Sequence, residues 1–340
     1  MITPPAKRIL FLSADRTAGG IQRALRDWSG VIAEHPAYAL SLHAPNTPAL
    51  NALARDLHLP HRILTSLHRV LFRFIPSLAS LSQKSDICFV HNGFLVPAAR
   101  HLAHHTIGVC HNDKPAKFQG ADYLICLTPD GLAKAKHAGW PDDKLRCIPH
   151  FIDDKPVVTK TPHKNALHII SAGRLVEKKN FALFIKMAAL AKTANAHLRF
   201  SLAGTGPEAN RLSRLNADLG NPVEMLGWSD LTVLAANADI FCSPSRDEPY
   251  GLVITEMMQA GLAILASPSF GARLILDQGH VAPLLPFDDA DAWAQQIGAL
   301  DADRDRLRQM QKACSKRLDD PVFKRSRFAY DLGQLIDALS

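Results

Sequence analysis

The chain has 340 residues, too many for one ordinary core and enough for two α/β domains of roughly 150 residues each. Hydrophobic residues make up 47% and charged residues 21%, a globular composition, and no apolar run approaches the roughly 18 residues of a membrane-spanning helix, so a soluble or peripheral protein is expected. The formal charge of +7 suits an anionic partner without choosing between nucleotide, anionic lipid and nucleic acid.

From the first residue, MITPPAKRILFLSA passes quickly into a strand pattern and lacks the small-residue cleavage site of a secretory signal, so the expected location is the cytoplasm. Short apolar runs separated by stretches of helical spacing then recur along the whole chain, the signature of βα alternation. In the first half RILFLSA, YALSLHA, ICFVHN, TIGVCH, YLICLT and LRCIPH are predicted strands. In the second half HIISAGR, HLRFSLAG, VEMLGW, IFCSPS, AILAS and VAPLLP are their counterparts. Between them FIDDKPVVTKTPHKN is polar, holds two prolines and has no hydrophobic period, so it reads as a linker. The expected division is therefore 1–160, 161–320 and a terminal helix over 321–340, with a doubly wound sheet in each half. Cys88, Cys110, Cys126, Cys147, Cys242 and Cys314 form no C-x-x-C pair and read as small buried hydrophobes in a reducing compartment.

The most informative segment is SRDEPYGLVITEMMQAG, Ser245 to Gly261, which follows the strand IFCSPS directly. Pro249, Tyr250 and Gly251 form a turn, and the amphipathic run behind it is predicted as a helix whose free N–H groups point back at the strand ends. In an open α/β sheet ligands bind there, and a helix N-terminus favours an anion. Glu248 precedes this helix and Glu256 lies on its second turn, so one can face a sugar and the other a ribose, with a diphosphate held by the backbone at Gly251, Leu252 and Val253. The plainer alternative is that Glu248 complements the helix dipole while Glu256 is a solvated face residue.

E-P-Y-G-L-V-I-T-E resembles the E-x7-E motif of retaining family 4 glycosyltransferases, the glycosyl transferases group 1. The resemblance implies a GT-B fold, two Rossmann-like domains facing a central cleft, and a first glutamate on donor-sugar hydroxyls with a second on the ribose. It extends to SAGRLVEKKNFALF, where it gives Gly173 to the donor site and makes Arg174 and Lys179 the clamp on the donor diphosphate; two negative charges depart with the nucleotide, so cations there stabilise the leaving group. Lys178 is the solvated member of that run. In SLAGTGPE it assigns Gly204 and Gly206 to a tight turn that brings backbone close to the ligand, and in VEMLGWSD it places main-chain contacts to the nucleobase near Met225. SLAGTGPE is neither a Walker A loop nor G-x-G-x-x-G, so neither an ATPase nor a dinucleotide enzyme is indicated.

In the first half Gly19 and Gly20 of SADRTAGGIQRAL resemble the family's glycine pair beside the diphosphate and acceptor. His111, ending TIGVCH, takes the place of a histidine that contacts the donor sugar, with His91 of FVHNG as its competitor. The sequence departs from the family at His150 to Asp153, where many members read N-G-[IV]-D, and at SPSFGARLILDQG, where a more glycine-rich segment is the rule.

The implied reaction moves a sugar from a nucleotide diphosphate sugar with retention, to a glycan or a lipid-linked acceptor of the lipopolysaccharide or cell-envelope type. No metal, no cofactor beyond that co-substrate and no nucleic acid are expected; Asp289-Ala290-Asp291 reads as helix capping rather than as a metal motif. An epimerase or phosphorylase of the same fold, or a non-catalytic nucleotide-sugar sensor, are the alternatives. In HRILTSLHRVLFRFIPSLASL, residues 61–81, one helical face carries Ile63, Leu64, Leu67, Val70, Leu71, Phe74 and Ile75, and Arg62, Arg69 and Arg73 lie elsewhere on the wheel. That pattern suits a helix on the inner face of an anionic membrane, and equally a core-facing helix.

Overall fold

The computed structural model describes residues 6–16, 20–65, 68, 84–153 and 166–339. The chain divides into two compact units, one formed by Met1–Phe151 with Arg325–Ser340 and the other by Ile152–Lys324. Most of the linker FIDDKPVVTKTPHKN lies outside the described residues.

The first unit holds a parallel sheet of strands β1 (Lys7–Leu12), β2 (Tyr38–Ala44), β3 (His61–Ile63), β4 (Ser85–Val90), β5 (Ala103–Cys110), β6 (Tyr123–Cys126) and β7 (Leu145–Cys147), in the order β3-β2-β1-β4-β5-β6-β7. Ile9 to Leu12 and Ile87 to Val90 are wholly buried, the run expected of a parallel strand covered on both faces. The crossovers among the described residues are α1 (Gly20–Ala33), α2 (Pro48–Asp56), α3 (Val96–Leu102) and α4 (Pro129–His137).

The second unit holds β8 (His168–Ala172), β9 (Arg199–Ala203), β10 (Glu224–Gly227), β11 (Ile240–Ser243) and β12 (Ala263–Ala266), parallel and ordered β10-β9-β8-β11-β12. Its helices are α5 (Phe181–Ala194), α6 (Ala209–Asp218), α7 (Leu231–Ala236), α8 (Leu252–Gln259), α9 (Phe270–Ile275), α10 (Ala290–Ala302) and α11 (Arg304–Arg317). One face of the sheet is sealed by Phe184, Phe200 and Trp293, the other by Phe241, Met257, Met258 and Phe323, all essentially buried. The last helix, α12 (Arg325–Asp337), belongs to the first unit, where Phe328 lies 5.0 Å from the rings of both Trp28 and Phe151 and the Lys7 ammonium donates to the Ile336 carbonyl at 3.0 Å.

Three expected elements differ. VAPLLP is not a strand; it makes one isolated bridge, Leu284 to Ala266, because Pro283 and Pro286 bring no N–H to a ladder. His61–Ile63, read as the opening of an amphipathic helix, is instead an edge strand on β2, with Ile63 44% exposed and Leu64 buried. Strand geometry wins there because Leu42 to Ala44 offer a free parallel edge in register with it. Leu67, Val70, Leu71, Phe74, Ile75, Arg69 and Arg73 lie outside the described residues. The terminal segment begins with a 3-10 turn, Pro321–Phe323, capped by Asp320, and extended Lys324 separates it from α12.

Candidate functional site

In the second sheet the strand order reverses between β8 and β11, and the carboxyl ends of those two strands open the crevice where doubly wound sheets bind ligands. The loop after β8 carries Gly173, Arg174 and Lys179; the loop after β11 carries Glu248, Tyr250 and Gly251. Across this switch point the Lys179 ammonium donates to a carboxylate oxygen of Glu248, both side chains mostly buried. The loops are joined a second time by the Arg246 N–H, which donates to the Lys178 carbonyl at 2.8 Å. Lys178 turns outward to Asp247 at 3.5 Å with both side chains well exposed. Arg174 is exposed, and its guanidinium makes no hydrogen bond or ion pair among the described residues.

Gly251 is the N-cap of α8, at φ +92°, in the left-handed region where glycine is favoured. The Ile254 N–H is taken by the Gly251 carbonyl at 2.8 Å, while the N–H groups of Gly251, Leu252 and Val253 have no protein acceptor among the described residues. Three orphan donors at a helix start make an anion site, and they lie in the turn that Glu248 leads into. Tyr250 is buried and Glu256, on the second turn of α8, is half-buried.

The glycines of SLAGTGPE are required by a close approach within the protein. A Cβ on Gly204 would stand 1.9 Å from the Gly173 carbonyl oxygen and one on Gly206 2.3 Å from that of Leu175. The close approach is therefore between the β8 and β9 loops themselves, which are stitched by Leu175 N–H to the Thr205 carbonyl (2.9 Å) and Glu208 N–H to the Leu175 carbonyl (3.0 Å). Met225 sits at a bulge in β10 with its side chain against the core. Two further residues shape the site and were not anticipated. Gly271 donates its N–H to the Glu248 carbonyl at 2.9 Å, and a Cβ there would stand 1.8 Å from the Tyr250 carbonyl oxygen. Asn180 takes a left-handed conformation and ties the Lys179 loop to the Phe287 carbonyl at 2.8 Å. Gly271 stands in SPSFGARLILDQG, the segment less rich in glycine than the family pattern.

In the first unit Gly19 lies outside the described residues and Gly20 opens α1. His111, at the end of β5, is not alternative to His91 but joined to it, His91 Nδ1 to His111 Nε2 at 2.8 Å. The His150 ring lies nearly parallel to that of His111, centroids 5.7 Å apart, and the Trp28 indole N–H donates to His150 Nδ1 at 3.0 Å. Burial pushes His111 down to about 4; burial, then neighbouring imidazoles, hold His91 well below the ordinary range, and His150 is held there by burial, His111 and Arg23. All three rings are neutral at pH 7.

Among the described residues no group of three His, Cys, Asp or Glu is placed to hold a metal ion, and no helix is long and apolar enough to cross a membrane. Asp289 caps α10 by accepting the Ala292 N–H at 2.9 Å.

Residues 155–317 match the family model of the glycosyl transferases group 1. The second unit belongs to that family. The chain resembles, at 30% identity over 194 residues, the lipopolysaccharide core biosynthesis glycosyltransferase LpsE of Rhizobium meliloti, a match covering 55% of the chain and 56% of LpsE. The chain thus spans about half the length of that relative. A longer match, 26% identical over 306 residues, joins 86% of the chain to 69% of a phosphatidyl-myo-inositol mannosyltransferase of Mycolicibacterium smegmatis. Among solved structures, Anabaena HepE in complex with UDP-glucose superposes with a TM-score of 0.80 at 18% identity, covering 97% of this chain and 99% of that one. The fold is GT-B.

Proposed function

We propose that the protein is a retaining, metal-independent glycosyltransferase that moves a hexosyl group from a nucleotide diphosphate sugar to a glycan or lipid-linked acceptor of the cell envelope. The reading rests on the second unit's switch point, where a lysine and a glutamate pair next to three unclaimed helix N–H groups. The diphosphate takes the N–H groups of Gly251, Leu252 and Val253, with Lys179 and the unpaired Arg174 as its counter-charges. Glu248 accepts from sugar hydroxyls through the oxygen that Lys179 leaves open, and Glu256 accepts from the ribose. As the glycosyl bond to phosphate breaks, charge grows on the departing diphosphate, and donors already aimed there stabilise it without reorganising. The names of the relatives support an envelope acceptor, and the UDP-glucose held by HepE supports a nucleotide-sugar donor.

The test is a thermal-shift panel of nucleotide sugars followed by product analysis. A donor at about 100 times its Kd stabilises the folded state by about 2.7 kcal/mol. No shift with any nucleotide sugar, or shift without transfer to any envelope glycan or lipid, would remove the proposal. Sugar interconversion with donor alone would replace it by an epimerase. A cytoplasmic protein at the inner membrane face is also proposed; sedimentation with anionic liposomes, reversed by salt, is its check.

A further inference from the structure

The three neighbouring histidines of the first unit carry information about a proton. His91 follows β4 and is anchored by its N–H to the Leu12 carbonyl at 3.0 Å; its ring is 2% exposed and packs edge-on against Phe11 and Trp28. His91 Nδ1 meets His111 Nε2 at 2.8 Å, and His91 Nε2 is buried with no hydrogen-bond partner among the described residues. The His91 ring lies edge to edge with that of His111, centroids 5.1 Å apart and tilted by 16°, as an in-plane bond between ring nitrogens requires, and the His150 ring lies 5.7 Å from His111, tilted by 11°. His111 is the half-buried member, and its Nδ1 has no partner among the described residues.

With both rings neutral, one proton lies between them and two arrangements exist. If His91 carries its proton on Nε2, a buried N–H is left without an acceptor and its desolvation is uncompensated. If the proton is on Nδ1, only a lone pair is left unsatisfied in the apolar pocket, and orphan acceptors are better tolerated than orphan donors. The second arrangement makes His91 the donor and His111 Nε2 the acceptor, which leaves His111 with its own proton on Nδ1.

We propose that His91 is a positioning residue that locks His111 in the Nδ1–H tautomer, so that His111 offers a ligand oxygen a fixed hydrogen-bond donor and not a base. The chemistry it selects is an acceptor oxygen, such as a sugar hydroxyl lone pair or a phosphoryl oxygen. The functional use rests on the glycosyltransferase reading; the tautomer does not.

The experiment separates the two. Long-range 1H–15N spectra of the full chain labelled in histidine, recorded without ligand at neutral pH and assigned with His111→Asn and His91→Asn, report which nitrogen of His111 bears the proton. The expected result is Nδ1–H in the wild type and in His91→Asn, whose amide can donate from the place of Nδ1. His91→Phe keeps a ring but no donor, and should release His111 toward Nε2–H. A bare Nδ1 on His111 in the wild type, or an unchanged tautomer in His91→Phe, overturns the proposal; the wild-type spectrum alone decides if His91→Phe does not fold. With a donor in hand, kcat should fall about 10- to 100-fold in His91→Phe and recover in His91→Asn, the size of effect seen when an outer partner of an oriented imidazole is lost. Equal kcat in all three refutes the functional half and leaves the spectra to stand.

Discussion

Replacing Gly271 by alanine isolates the packing that holds the Glu248 turn. The glycine needs no special φ, so the effect is steric: the new Cβ would stand 1.8 Å from the Tyr250 carbonyl oxygen and 2.2 Å from its carbon. Ordinary contact begins near 3.4 Å, so backbone must part by about 1.6 Å, and the Gly271 N–H to Glu248 carbonyl bond at 2.9 Å is strained or lost. Neither wall is a flexible side chain, which places the cost at the top of the overpacking range, about 3 kcal/mol, or about 6–12 °C in Tm for a unit of this size. A shift of about 1 Å at a positioned group costs turnover about 100-fold. Gly298→Ala is the control: it lies inside α10 with nothing nearer its Cβ than Asn195 Nδ2 at 4.0 Å, and should gain about 0.5–1 kcal/mol. Calorimetry and donor turnover on both variants decide the matter. A Gly271→Ala protein that melts within about 1 °C of wild type and turns over normally would refute the reasoning.

Arg174→Ala and Lys179→Ala should each lower turnover by about 10² to 10³, the loss of one preorganised donor; steady-state kinetics showing near wild-type rates in both would remove the leaving-group role. In a urea-unfolding cycle, Lys179→Met and Glu248→Gln should couple by about 1–3 kcal/mol, because either alone strands its mostly buried partner; simple additivity would contradict the observed pair. The folded-state values of His91, His111 and His150 lie below the ordinary one, so the unfolded chain takes up protons first. Their contribution is complete above about pH 6.5 and is lost as pH falls toward the folded value, about 4 for His111, at up to roughly 1.4 kcal/mol per pH unit for each ring. Urea midpoints measured across that window should fall with acid, and fall less steeply in His111→Asn.

Strands buried on both faces, such as Ile9–Leu12 and Ile87–Val90, were legible because their apolar runs are continuous, and among the described residues eleven of the twelve strands overlap the segments predicted as strands. The exception, His61–Ile63, is a three-residue edge whose only reason to be a strand is the open side of β2, a tertiary fact with no local pattern. VAPLLP failed for the converse reason, since hydrophobicity outweighed two prolines in the reading. At the site, Lys179 and Glu248 could be brought together from motif spacing and the rule that ligands sit at strand ends. That Gly204 and Gly206 also admit the backbone of Gly173 and Leu175 was not legible, because a glycine turn does not say what comes near it. The histidine cluster was visible only as two competitors, His91 and His111, because nothing in one dimension says that β4, β5 and the residues beyond β7 end side by side.

The return of α12 to the first unit bears on how the protein is made. On the ribosome Trp28 and Phe151 emerge long before Phe328, Leu332, Leu335 and Ile336, the side chains of α12 buried in that unit. The intervening unit closes on itself, its two ends joined by the Ile152 N–H to the Phe323 carbonyl at 2.9 Å, and needs nothing translated later. Within this sequence the first unit is therefore completed after the second, and the sides of Trp28 and Phe151 that meet Phe328 wait uncovered until α12 is made.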